Sequence, residues 1–114
     1  MKTVNWTHKR ATTFDKQIVT LAEGSGDPID LTGATILIQL RKQPKGLVAY
    51  EIQTTITDAT GGEFELDEQF IDIPACDYLY DVLIEFANGV YAGQSQRWIN
   101  GIFSIVEVIS EEVV

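Results

Sequence analysis

His8 is the only histidine and Cys76 the only cysteine in the chain. Any Ser-His-Asp or Cys-His nucleophile would have to use His8. It stands in a polar N-terminal stretch, where a solvated surface side chain is expected rather than a base. Cys76 follows Pro74-Ala75 and has no ligand partner at a metal spacing, so it reads as a small buried hydrophobe. Gly24-Ser25-Gly26 lacks the lysine and the following helix of a phosphate loop and reads as a turn. Carboxylates are the one abundant chemistry. Glu63, Glu65 and Asp67 alternate with Phe64 and Leu66. Three acids on one strand face could hold Ca²⁺, which takes about six to eight oxygens. The simpler role is a charged face that stays soluble and resists edge pairing. A glycosidase pair would need a cleft and one carboxyl of raised pKa, which one small sandwich rarely offers. No catalytic residue and no cofactor is therefore expected, and the calcium candidates are Glu63, Glu65 and Asp67.

Two aromatics invite a different function. Trp98 follows Arg97, and Trp6 lies in an N-terminal segment that carries Lys2, Lys9 and Arg10. Aromatic and arginine side chains together are the usual anchors of protein interfaces. These six residues are the candidate contact set, with ordinary packing as the competing role for each tryptophan. Asn5-Trp6-Thr7 spells a glycosylation acceptor. Met1-Lys2 leads into polar residues rather than an apolar stretch, so no signal peptide is expected and the acceptor reads as chance.

Composition narrows the classes further. The 114 residues hold 8 Lys+Arg and 17 Asp+Glu, a net charge of −9. Sequence-independent nucleic-acid binding needs clustered cations and is disfavoured. No apolar run is long enough for a membrane helix. A single cysteine rules out a disulfide within this chain. The hydrophobic share of 45% suits one folded domain. The charge is uneven. Residues 1–16 carry Lys2, Lys9, Arg10 and Lys16 against Asp15, whereas residues 46–96 carry no Lys or Arg. A basic arm docking head-to-tail on an acidic sandwich is one arrangement this allows.

The elements that would position these residues are strands. Tyr78, Tyr80, Val82, Ile84 and Phe86 alternate with mostly polar positions, which puts them on one face of a strand over 78–87. Asn88-Gly89 then predicts a tight hairpin, with the chain returning at Val90-Tyr91-Ala92. Ala34, Ile36, Ile38 and Leu40 mark a second strand over 34–42. After Gln43-Pro44-Lys45-Gly46 the chain returns over 47–54, and Gly61-Gly62 leads into a strand at 63–67. The strand predicted over 101–109 has an ambiguous phase and could carry a bulge. Phe14, Ile18, Leu21 and Ala22 have helical spacing, but the β-branched residues around them favour a strand. Residues 67–73 read as one short helical turn capped by Asp67. The sum is an all-β, Ig-like antiparallel sandwich of about seven strands in a single domain. Its core spans about 12–109, with a flexible N-terminal arm at 1–10 and a C-terminal tail at 110–114.

The stretch 27–41, DPIDLTGATILIQLR, carries a resemblance. With Thr13-Phe14 before it, Tyr80-Asp81-Val82 after it, the Asn-Gly turn and the closing Gly101–Val106 strand, the chain resembles short β-sandwich domains of tailed bacteriophages and prophages. These include the N-terminal domain of baseplate upper proteins and stand-alone tail and baseplate components. The likeness covers roughly residues 12–108, and Pro28 to Thr35 is its most specific part. It implies a non-enzymatic structural or adaptor protein of a virion tail or baseplate. Such a protein is made in the bacterial host cytoplasm, docks on other subunits or on itself, and assembles as a homo-oligomer. The competing expectation is a carbohydrate- or Ca²⁺-binding β-sandwich module. Within the motif, Asp30 is expected to cap a turn, Leu31 to plug the edge of the core, and Gly33 to adopt a backbone angle other residues resist.

Overall fold

The computed structural model describes residues 2–107. No helical segment occurs among them. Eleven strands follow in order: β1 (Lys2–Thr3), β2 (Trp6–Lys9), β3 (Thr12–Phe14), β4 (Gln17–Thr20), β5 (Thr35–Arg41), β6 (Val48–Glu51), β7 (Thr54–Asp58), β8 (Glu63–Leu66), β9 (Gln69–Ile71), β10 (Cys76–Glu85) and β11 (Ser95–Val106). One sheet runs β11-β10-β5-β6, with β1 and β2 both added parallel along β11. The facing strands form the ladders β4-β8-β7 and β3-β9.

The β3-β9 and β4-β8 pairings are one bent antiparallel ladder. Thr12 lies opposite Ile71 and Thr20 opposite Glu63, in the same register throughout. Pairing lapses only at Asp15-Lys16 and Asp67-Glu68. Counting each bent strand once gives seven main strands, with the short β1 and β2 in addition. In Ig-like terms the two layers are B-E-D and G-F-C-C′. A second signature agrees. Near the start of β10, the Tyr78 hydroxyl donates to the Pro74 carbonyl at 2.6 Å, a tyrosine corner. Burial also pushes the Tyr78 phenol pKa up. Tyr78→Phe keeps the ring but orphans that carbonyl. It is expected to cost about 1–2 kcal/mol, measured by urea titration at neutral pH; a neutral result would mean the bond contributes nothing.

The core follows the alternation. Tyr78, Tyr80, Val82 and Ile84 of β10 and the extension at Phe86 are buried, as are Ile38 and Leu40 of β5. Phe64, Leu66 and Ile71 face them from the other layer. The kink at Asp15-Lys16 shifts the inward phase, so Phe14 and Leu21 are buried while Ile18 is 52% exposed. The helical spacing around Phe14 is thus the trace of a bent strand.

Four expectations are corrected. Residues 67–73 hold no helical turn. Gln69–Ile71 instead finds a complete ladder partner in Thr12–Phe14, which one isolated turn of helix could not match. Asp67 accepts a hydrogen bond from the Thr55 hydroxyl at 2.8 Å rather than capping a helix. Residues 2–9 are not a free arm, because β1 and β2 are hydrogen-bonded to β11. Asn88-Gly89 does not form a two-residue hairpin. The loop closes where Phe86 N–H donates to Gln94 O, and β11 starts at Ser95 rather than Val90. The predicted 47–54 strand is split between the two layers, because Ile52 turns inward to the core between β6 and β7. The tail at 110–114 and the end of the predicted 101–109 strand lie outside the described residues.

The Pro28–Thr35 element folds as its residue types require. Asp30 Oδ1 accepts from the Thr32 hydroxyl at 2.6 Å and from the Thr32 N–H at 2.9 Å, closing an Asx turn. Leu31 is fully buried, and Gly33 has φ +71°. The Thr32 side chain, then its backbone N–H, hold the Asp30 carboxyl below the usual carboxylate range. A depressed folded pKa means the turn contributes fully above the unfolded value. That contribution is lost as pH falls through the folded value. Below about pH 4, wild type is therefore expected to lose melting temperature faster than Asp30→Asn. Parallel curves across that range would refute the coupling.

Candidate docking site

The candidate contact residues separate into those spent on the fold and those left on the surface. Trp6 is half-buried: its indole N–H donates to the Tyr80 hydroxyl at 3.1 Å, and its ring meets Phe14 edge-on at 6.0 Å. The Tyr80 hydroxyl in turn donates to the Val4 carbonyl. Trp6 thus pins β2 to the core rather than projecting as an anchor. Arg10 bridges Asp72 at 3.2 Å and Glu107 at 3.1 Å. The arm therefore meets acids within its own chain. Both pairs are exposed, so each contributes little to stability. Arg97 pairs with Asp81 at 2.8 Å across the β10-β11 ladder. Lys2 and Lys9 are exposed and make no ion pair among the described residues.

Trp98 sits at an irregularity. Val82 pairs with Ile99 and Leu83 with Arg97, leaving Trp98 as the extra residue of a β-bulge. The bulge switches the inward phase of β11 from even to odd positions, which explains its ambiguous pattern. Trp98 is half-buried and meets Tyr91 edge-on at 5.7 Å. Its indole nitrogen is buried without a hydrogen-bond partner among the described residues.

The calcium candidates do not converge. Glu63 accepts from the Thr57 hydroxyl at 2.8 Å and Asp67 from Thr55, so each is engaged on its own strand pair. No group of three His, Cys, Asp or Glu side chains among the described residues could hold a metal ion. His8 is not solvated as expected. Its Nε2–H donates to the Thr12 carbonyl at 3.0 Å and its ring lies 5.4 Å from Phe14. Cys76 is half-buried, free, and packed against the core. Asn5, in the acceptor triplet, uses its side-chain oxygen to accept from Ile102 N–H at 2.9 Å.

What the two tryptophans and Lys2 share is a cleft of about 890 Å³ at one side of the sandwich. Its walls are β4 on one layer and β1, Val4 and the start of β11 on the other, and Phe64, Tyr80 and Val82 line it from the core. Ile18, which sequence reasoning missed, and Tyr91, an aromatic candidate left outside the contact set, also line it. The only signal for Ile18 was an apolar residue out of phase with Val19. Tyr91 is held by a hydrogen bond to Glu23 at 2.7 Å, which nothing in the local pattern announces. That bond, with burial, raises the Tyr91 phenol pKa. The arrangement has no nucleophile-base pair; what it offers is apolar surface, aromatic edges and backbone. No protein-family model matches the sequence, and comparison with curated proteins finds no match.

Proposed function

We propose that the chain is a non-enzymatic structural or adaptor protein of a phage or prophage virion, in the tail or baseplate, that works by docking on other subunits. The observation that carries the docking part is the open cleft beside β4. It brings exposed Ile18 and half-buried Trp6, Tyr91 and Trp98 to one opening, aromatic and apolar surface that suits a protein contact. The virion part is supported by the resemblance centred on Pro28–Thr35, whose turn chemistry is a fold signature and not an active site. The test is location. Antibody raised against the chain should label the tail end of induced virions by electron microscopy, and mass spectrometry should find the chain in purified particles. Absence from particles on both counts would sink the proposal.

A glycan-binding role has one observation in its favour, the Trp98 and Tyr91 rings at the cleft. A saturable change in tryptophan fluorescence across a glycan panel would favour it over docking.

A further inference from the structure

Two strand edges bound the cleft, and among the described residues no strand covers either of them. β4 has β8 on one side and nothing on the other. β1 begins its pairing at Ile99, so Ser95 to Trp98 have only β10 beside them. Ile18 through Ala22 line the cleft without a gap, and so do Gln96 through Ile99. Side chains alternate faces along a strand, so an unbroken run along a wall means the backbone edge itself looks into the opening. An uncovered edge offers rows of unpaired N–H and C=O groups. In an Ig-like sandwich the first strand, A, normally lies beside strand B. Here β4 is the B strand, and the N-terminal segment has been drawn across to β11 instead. The charge of the opening is also specific. Lys2 lines it, Arg97 lines it while paired with Asp81, and no Asp or Glu among the described residues does.

We infer that β4 accepts an added strand from a partner polypeptide. The occupant is an extended segment with apolar side chains at alternate positions and acidic side chains at its flanks. Its backbone continues the β4-β8-β7 sheet, its apolar side chains enter the cleft toward Val19 and Trp98, and its acids meet Lys2. Main-chain hydrogen bonds supply affinity and the alternate pockets supply selectivity. This inference rests on the docking function proposed above and names the partner's chemistry.

The test uses the whole chain and two synthetic eight-residue peptides, EEVTVTVE and its lysine-flanked counterpart KKVTVTVK. The acidic peptide should bind saturably by fluorescence anisotropy and slow amide exchange at Ile18 and Thr20, whose N–H groups face the open edge. The lysine peptide should bind far more weakly. Lys2→Glu, at an exposed position with no ion pair among the described residues, should weaken the acidic peptide about fivefold. Equal binding of both peptides, or protection on the β6 or β7 edge instead, would overturn the inference. So would a protein that self-associates with Ile18 and Thr20 already protected. The outcomes are separable from the virion test. A chain found in particles that fails this titration loses only the β4 edge. A chain that binds the peptide but is absent from particles loses only the virion role.

Discussion

Gly101→Val is expected to strip β1 and β2 from the sheet while the sandwich stays folded. Gly101 sits in β11 opposite Tyr80, where the N-terminal segment passes directly over it. A β-carbon there would run into the Val4 carbonyl and lie 2.9 Å from Asn5 Oδ1. Both contacts involve groups that cannot move cheaply. Val4 N–H donates to Asn100 O at 2.9 Å, and Asn5 Oδ1 holds Ile102 N–H. Overpacking of this kind costs about 1–3 kcal/mol. The local strand pairing is the weakest structure able to relieve it, because two short parallel ladders to β11, the Asn5 side chain and the Trp6–Tyr80 contact hold it, whereas β10 and β11 pair over ten residues. Amide exchange from Val4 to Lys9 should rise steeply, Trp6 emission should shift red, and melting temperature should fall by roughly 5–10 °C. Unchanged exchange over Val4–Lys9 would mean the close approach is not the constraint. Because Lys2, Val4 and Trp6 line the cleft, the same variant should also weaken whatever binds there.

Phe64→Ala is the larger loss of stability. Phe64 is fully buried and lies between Val19 of β4 and Ile56 of β7 in the ladder. Truncation removes a ring from the floor of the cleft that neighbouring strands cannot collapse to fill. The expected cost is about 3–5 kcal/mol, or a drop of roughly 12–20 °C in melting temperature. Ile18→Ala, one strand away but 52% exposed, should stay within about 0.5 kcal/mol of wild type. The pair separates a strand from a helix over 14–22. On a helix, Phe14, Ile18 and Leu21 would form one buried stripe, and Ile18→Ala would be costly. Similar losses for the two variants in calorimetry would contradict the fold.

Local pattern by itself determined the all-β class, the inward face of β10 and β5, and the chemistry of the Pro28–Thr35 turn. Each rests on residues a few positions apart. Period-2 alternation encodes burial of one face, and an Asp two residues before a Thr encodes an Asx turn. Tertiary structure alone decided everything that needed a distant partner. Nothing near Gln69–Ile71 shows that Thr12–Phe14 will complete its ladder. The two-residue lapses at Asp15-Lys16 and Asp67-Glu68 reset the phase and imitated a helix.

The candidate contacts divided on the same ground. Trp6 and Arg10 are tied down by Tyr80, Asp72 and Glu107, between 62 and 97 residues away in sequence. Trp98 and Lys2 became neighbours of β4 only because β1 pairs with β11 and leaves the B-strand edge bare. An open edge is the absence of a partner, and residue types do not record which pairing a backbone will leave unmade.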